Sequence, residues 1–236
     1  MKIDQKKLLA QAERFSNNGN LKRAKILYLS ILKDNPQNLQ AIKGLEALKE
    51  DKNVNNQLEL SQEQVNSVIA LYSSGNIQDA IDKIKSLNND FPNVPLLFNI
   101  LGVCYKSLGQ LQEASQAFLN AIKIKSDYTE AHFNLGLIYQ QLNKLDGAVK
   151  AYKNVISLTP NYPSAHNNLG IIYLETNQLD SAVEHFEWAL AYKYDFAEAY
   201  NNLGATLQRQ GKLDLSFKNF KQAIAIKPEY AQAHSN

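Results

Sequence analysis

Asn134-Leu135-Gly136 recurs as Asn168-Leu169-Gly170 and as Asn202-Leu203-Gly204, and this recurrence decides the fold of the chain. The related motif Ile100-Leu101-Gly102 precedes them, and successive glycines of the four motifs are 34 residues apart. A fixed period of this length is typical of a stacked array of similar units, in which each unit contacts only its neighbours. The period therefore indicates an extended binding surface, but it says little about what is bound.

Four consecutive segments, at 95–128, 129–162, 163–196 and 197–230, share one pattern of large and small side chains. In the second segment the pattern consists of His132, Leu135, Gly136, Tyr139, Ala148, Tyr152 and Val155. Steps of three and four residues place side chains on one face of a helix, so each segment is predicted to form two helices packed against each other. A larger side chain in place of Gly136 would overpack their contact, at a cost of about 1–3 kcal/mol.

Glycine and asparagine mark the predicted turns between the two helices of each segment. They occupy positions 109, 143, 177 and 211, as Gly109, Asn143, Asn177 and Gly211. Both residue types tolerate positive φ, which favours the residue just after the end of a helix.

These residues and their spacing resemble the tetratricopeptide repeat pattern, W-x2-L-G-x2-Y…A-x3-F…P. Two weaker copies precede the four strong ones, at 5–38 and 61–94, with Ala12 and Val68 in place of the glycine. The resemblance implies an all-α fold, a right-handed superhelical solenoid of antiparallel helix pairs. It also implies that the first helix of each pair lines a concave groove.

The sequence predicts three regions. Residues 1–50 form a helix pair and one extra helix at 39–50, and the polar stretch 51–60 is a linker. Residues 61–236 form the array, with repeats at 61–94, 95–128, 129–162, 163–196 and 197–230 and the start of a further repeat at 231–236. Ser61, followed by Gln64, suits a helix start. Because the last repeat stops before its Leu-Gly, we expect the chain to be the N-terminal piece of a longer polypeptide.

A row of asparagines is the first candidate for a binding site. It comprises Asn134, Asn168, Asn202 and Asn236. An amide can pair with both polar groups of a peptide unit, and helices packed roughly 8–10 Å apart would grip about every third residue of an extended peptide. The row resembles the asparagine ladder of O-linked N-acetylglucosamine transferase, which holds acceptor peptides. The alternative is that these amides are repeat consensus and bond to neighbouring helices or water.

By the family pattern, further residues of the same helices line the groove. They are Val103, Leu137, Ile171, Lys106, Gln140, Gln141, Gln208 and Arg209. This surface is mixed apolar and neutral. It lacks the paired cations with which chaperone-binding members of the family hold a C-terminal carboxylate.

Other classes of function find little support. The net charge is +2, and charges of both signs are interspersed along the chain, which argues against binding to nucleic acid. The sequence contains no apolar stretch long enough to indicate a membrane span. With no apolar signal region at its start, the chain is expected to be cytoplasmic. Its abundant Lys, Asn and Ile suggest an AT-rich genome, and the resemblance to bacterial repeat arrays suggests a bacterial source. The single Cys104 is predicted to be a packing residue.

No cofactor, metal site or catalytic motif is predicted, so we do not expect an enzyme in this part of the polypeptide. His132, His166 and His234 recur at a position that elsewhere holds Phe98 or Tyr200, and such a position favours bulky packing over metal binding. His185 has no counterpart and is expected to be alone and exposed.

Three functions remain open. The first is an interaction module that binds an extended or helical segment of a protein or peptide ligand in the groove. The second is the substrate-recognition arm of a larger enzyme, such as a glycosyltransferase, sulfotransferase or methyltransferase. The third is a self-assembling scaffold that associates through the edge of its C-terminal repeat, where Phe217, Phe220 and Ile224 are expected to be exposed.

Overall fold

The protein is all-α in the part that its structure, a computed structural model, describes: residues 5–50 and 60–235. The first six helices are α1 (Gln5–Asn17), α2 (Leu21–Asp34), α3 (Leu39–Glu50), α4 (Gln62–Ser73), α5 (Ile77–Asp90) and α6 (Pro95–Ser107). The next four are α7 (Leu111–Ile124), α8 (Thr129–Gln141), α9 (Leu145–Leu158) and α10 (Pro163–Glu175). The last four are α11 (Leu179–Tyr192), α12 (Ala197–Arg209), α13 (Leu213–Ile226) and α14 (Ala231–Ser235). The linker predicted at 51–60 falls almost wholly outside the described residues, as does Asn236.

The chain divides into two compact units, Met1–Leu97 and Phe98–Asn236, and the boundary falls in the first turn of α6. In the first unit, α1, α2 and α3 share a core. Its buried residues are Leu9, Ala12, Ala24, Tyr28, Ile31, Ala41, Leu45 and Leu48. Farther along, α4 begins with the predicted cap: the Ser61 Oγ accepts from the Gln64 N–H at 3.2 Å, and the Gln64 Oε1 accepts from the Ser61 N–H at 3.0 Å. Each bond satisfies a backbone donor at the helix start.

The second unit repeats one type of core layer. Each layer joins the second helix of one repeat to the first helix of the next. The layer between α9 and α10 contains Ala148, Tyr152, Val155, Ala165, Leu169 and Ile172. Equivalent residues join α7 to α8 and α11 to α12. Contacts of this kind between neighbours are what holds a repeat array together.

The glycines of the Leu-Gly motif lie under aromatic rings. A Cβ added at Gly136 would lie 2.5 Å from Cε1 of Tyr152, and one at Gly170 would lie 2.6 Å from Cε1 of Phe186. Gly102 and Gly204 face Phe118 and Phe220 in the same way. The predicted close approach of the two helices is confirmed, and the ring lies directly over the glycine.

The predicted turns are confirmed as well. Asn143 and Asn177 have φ of 55° and 60°, and Gly109 and Gly211 have φ of 71° and 77°. After Asn143, the Lys144 N–H donates to the Tyr139 carbonyl at 2.8 Å, a bond that ends α8 and turns the chain into α9. Turns this short return the second helix antiparallel to the first.

The expectation for the last repeat is wrong in part. Phe217 is exposed (69%), but Phe220 is buried (7%) because its ring covers Gly204, and Ile224 is half-buried. Ala233 of α14 is also buried. Of the three predicted edge residues, Phe217 is the one that offers an apolar side chain to solvent.

Candidate functional site

The asparagine row lies on the first helices of the repeats in the second unit. Asn134, Asn168 and Asn202 are half-buried, and the leucine after each of them is buried. Because the buried leucines turn one face of each helix toward the core, the amides beside them lie at the boundary between core and solvent. They occupy the same place on α8, α10 and α12.

Two of these amides bond to the preceding repeat. Asn134 donates through Nδ2 to Oδ1 of Asn99 at 3.2 Å, and Asn202 donates to Oδ1 of Asn167 at 3.1 Å. Each pair spans 35 residues and joins two neighbouring first helices. An amide nitrogen carries two N–H groups, so Asn134 and Asn202 each retain a second donor and the side-chain carbonyl oxygen for a ligand.

The middle amide finds a different partner. One position before Asn134 stands Phe133, which cannot accept a hydrogen bond from Asn168. Instead Asn168 donates to the hydroxyl of Tyr152 at 3.1 Å, and that hydroxyl donates to Oε1 of Gln140. Burial raises the pKa of Tyr152 well above its usual range, against the opposing effect of the Asn168 bond, so the phenol keeps its proton.

Sequence reasoning missed the partners Asn99, Asn167 and Tyr152. A signal was present, because two of the motifs are preceded by doublets, Asn167-Asn168 and Asn201-Asn202. Among the four strong repeats, Tyr152 is the one tyrosine at a position that otherwise holds Phe118, Phe186 and Phe220. The partners hold the amides of the row in place.

The apolar residues predicted to line the groove are half-buried. Val103, Leu137 and Ile171 each pack against a core layer that includes the first helix of the next repeat. They leave part of their surface open beside the amides. A strip of alternating amide and aliphatic groups therefore runs along α8 and its neighbours.

The polar residues of the same helices differ in how freely they can act. Gln141 and Gln208 are exposed, while Lys106 and Gln140 are half-buried. Arg209 donates at 2.8 Å to the carbonyl of Leu174 and at 2.8 Å to Oδ1 of Asn177. Its guanidinium thus secures the C-terminal end of α10, which leaves less of it for a ligand.

The histidines bridge repeats. Nε2 of His132 lies 2.9 Å from the carbonyl oxygen of Ser126, and Nε2 of His166 lies 3.0 Å from that of Pro160. Both rings are buried, in agreement with the packing role that was predicted. Among the described residues, no group of three or more His, Cys, Asp or Glu side chains could hold a metal ion.

The expectation for His185 is wrong. It is half-buried, its Nδ1 lies 3.2 Å from Nδ1 of His166, and its ring stacks on Tyr173 with centroids 5.4 Å apart. Burial lowers the pKa of both histidines, and the proximity of His166 lowers that of His185 further. Trp188 and Tyr192 complete an aromatic cluster on α11.

Cys104 is buried and unpaired, and burial raises the pKa of its thiol, which fits a packing role. Among the helices of the described residues, none combines the length and the apolar character needed to span a membrane.

Comparison with known sequence families agrees with the repeat geometry. The family described as TPR repeat matches residues 102–143, 138–177 and 172–211, and the one described as Tetratricopeptide repeat matches 197–230. Together these matches cover more than half of the chain. The chain belongs to the tetratricopeptide repeat family. No curated protein sequence matches it.

Solved structures share this tetratricopeptide repeat fold. The crystal structure of MamA matches with a TM-score of 0.64 and 24% identity, over 69% of this chain and 95% of that chain. MamA from Desulfovibrio magneticus RS-1 matches with a TM-score of 0.65 and 18% identity, over 72% and 96%. YrrB, described as a TPR protein with an unusual peptide-binding site, matches with a TM-score of 0.64 and 18% identity, over 80% and 95%. These likenesses confirm the predicted solenoid of helix pairs.

Proposed function

We propose that the tetratricopeptide repeats of this chain bind an extended segment of a partner protein along the first helices α8, α10 and α12. The observation that carries the proposal is the row of three amides, each held by the neighbouring repeat and each retaining hydrogen-bonding capacity. Amides fixed in advance lose little side-chain entropy when a ligand binds. The described peptide-binding site of YrrB, a protein of the same fold, supports a ligand of this class.

The amides would bind the backbone of the ligand, and Val103, Leu137 and Ile171 would contact its apolar side chains. Such a surface selects an extended conformation more than a particular sequence, because the peptide unit is common to all residues. The proposed role is binding without catalysis.

The test compares two sets of alanine variants. Short random peptides, about 12 residues long and able to extend roughly 40 Å, are displayed on phage and selected on the chain. Selected peptides are then labelled, and their affinity is measured by fluorescence anisotropy. We expect Asn134→Ala/Asn168→Ala/Asn202→Ala to weaken the binding of groove-directed peptides by about 100-fold, since several hydrogen bonds are lost together.

The control is Asn99→Ala/Asn167→Ala. It removes the inter-repeat bonds of Asn134 and Asn202, leaves that of Asn168 with Tyr152, and keeps all three ladder amides. It therefore separates loss of ligand contacts from loss of stability. The control should bind within a few-fold of the unchanged chain. Equal weakening by both variants, or none by the triple variant, would refute the role of the ladder.

A further inference from the structure

A second groove lies between α7 and α9, with α8 as its floor. It has a volume of about 490 Å³, within the range of ligand pockets, roughly 300–1,000 Å³. The side chains that give it an apolar lining are Leu119, Ile122, Leu135 and Tyr139. An adjoining cavity of about 330 Å³ shares Ile122, His132 and Asn154 with it and continues to Leu158. The α7–α9 groove is thus elongated.

This groove is separate from the asparagine row. Successive residues of an α-helix are rotated by about 100°. On α8, residues 132, 135 and 139, which line the groove, therefore form a stripe opposite to residues 134, 137 and 141. The helix α8 therefore presents one stripe to the α7–α9 groove and the opposite stripe to the asparagine row. A ligand in the α7–α9 groove does not touch the amides.

The groove is open because two residues of α9 are small. Gly147 and Ala151 line it, and 34 residues later the equivalent positions hold Ser181 and His185. Glycine is unfavourable inside a helix. At Gly147, however, a Cβ would lie 2.9 Å from Cδ2 of Tyr139, so the glycine leaves room for the tyrosine ring that forms one wall.

The next repeat places larger side chains at the equivalent positions. Its Trp188 occupies the position of Asn154, and the rings of His185 and Trp188 both contact His166. The two repeats thus share a backbone plan but differ in the size of the side chains between their second helices.

Two lysines give the groove a positive charge. Lys144 and Lys150 line it, no carboxylate is among its lining residues, and neither ammonium group has an ion-pair or hydrogen-bond partner in the described part of the chain. In the next repeat the equivalent residues are Gln178 and Glu184. Leu119, which lines the groove, and Leu158, which lines the adjoining cavity, are 38% and 41% exposed. Two ammonium groups without anionic partners, next to exposed apolar surface, are complementary to a ligand that is both apolar and anionic.

We propose that the α7–α9 groove is a second docking site, for a peptide segment of a partner protein that combines an apolar anchor with a carboxylate. The anchor, a leucine or phenylalanine side chain, lies between Leu135 on the floor and Ile122 on α7. An Asp or Glu near it in the segment pairs with Lys144 or Lys150. This site does not depend on the proposed role of the asparagine row, and one chain could hold two segments at once.

The experiment selects for this groove. Random displayed peptides of about 12 residues are selected on the chain and counter-selected on Ala151→His/Asn154→Trp. That variant fills the groove with the residues that the next repeat holds at the same positions. The affinity of labelled selected peptides is then measured on the unchanged chain, on Lys144→Gln/Lys150→Gln and on Asn134→Ala/Asn168→Ala/Asn202→Ala.

We expect enriched peptides to place Leu or Phe beside Asp or Glu. They should bind at least about tenfold more weakly to the lysine variant, because charge-assisted hydrogen bonds are lost. Their affinity for the asparagine variant should be unchanged. No enrichment over the filled variant, enriched peptides that lack a carboxylate, or binding that is indifferent to the lysines would each overturn the proposal. Both lysines are exposed, so their variant keeps the test decisive even if the filled variant folds poorly.

Discussion

At the scale of single residues, the hydrogen bond that a ladder asparagine donates to the preceding repeat has two kinds of acceptor, an amide oxygen or a phenol hydroxyl. Where an asparagine precedes the motif position in the earlier repeat, its amide accepts from the ladder asparagine, as Asn99 does from Asn134. Where phenylalanine stands there, the hydroxyl of Tyr152 takes over and accepts from Asn168. In this repeat, Phe133 removes the amide acceptor and the hydroxyl of Tyr152 replaces it.

This exchange gives a testable coupling. Tyr152→Phe restores the residue found at 118, 186 and 220 but removes the hydroxyl, and we expect a cost of about 0.5–1.5 kcal/mol. Phe133→Asn alone loses the ring contacts with Tyr152 and Tyr162, whose centroids lie 5.7 and 5.0 Å away. In the double variant, the asparagine introduced at position 133 can accept from Asn168 as Asn99 does from Asn134. Urea unfolding of the unchanged chain, the two single variants and the double variant gives the four free energies of unfolding from which the coupling is calculated.

The double variant should be more stable than the sum of the single variants predicts, by about 0.5–1 kcal/mol. Changes that simply add, to within about 0.3–0.5 kcal/mol, would show that the hydroxyl and the amide are not interchangeable acceptors.

At the scale of helices, the sequence predicts the elements well and their partners poorly. Helix pairs and turns follow from local rules: apolar steps of three and four residues, and Gly109 or Asn143 at positive φ. The acceptor for Asn134 lies 35 residues away, and that for Asn168 lies on another helix. Such contacts depend on how neighbouring repeats stack, which no single helix encodes.

His185 shows the same limit. The position of His185 on α11 does not predict its contact with His166 on α10. In the structure, Nε2 of His166 faces the Pro160 carbonyl and must carry the proton there, so in the neutral pair Nδ1 of His166 accepts from Nδ1–H of His185. A pair of this kind, with one ring buried and the other half-buried, resists protonation, although Glu184 favours the charged form of both rings.

The lowered pKa of both histidines predicts the direction of a pH effect. In the unfolded chain a histidine titrates near its usual pKa of about 6.5. The folded pair binds protons only at lower pH, so between the two values the unfolded chain holds more protons and stability falls as pH falls. Above this window both states are neutral and stability is level. Lys153 adds to the resistance of His185, and Glu184 reduces it.

Trp188, the only tryptophan in the chain, lies 6.3 Å from His166 between ring centroids and reports on this region. Urea unfolding followed by its fluorescence at about pH 8 and about pH 5 measures the loss. The matched variant is His185→Ala, since Ala117 and Ala151 stand at the equivalent positions. It should lose less stability on acidification than the unchanged chain. An equal loss in both would place the pH dependence elsewhere.

At the scale of the whole molecule, we expect the second unit to act as a stack whose layers are interchangeable. The layers α7–α8, α9–α10 and α11–α12 use equivalent residues, and each repeat meets only the next one. A compact domain built from distant contacts would fail if an internal segment were removed. An array should tolerate the loss of one whole repeat.

Deletion of residues 129–162 removes one full repeat and leaves Tyr128 before Pro163, where Tyr162 stands now. His166 would then meet the Ser126 carbonyl that His132 meets, and Asn168 would meet Asn99. We expect a folded protein with the same helix content per residue in circular dichroism and a lower melting temperature, because one core layer is lost. Deletion of residues 129–144, which removes α8 and its turn but keeps α9, is the control. It leaves the ring of Tyr152 without the glycine it covers, so this protein should lose helix content or aggregate. If both deletions unfold the chain, the second unit is a single cooperative core and the independence of its repeats is wrong.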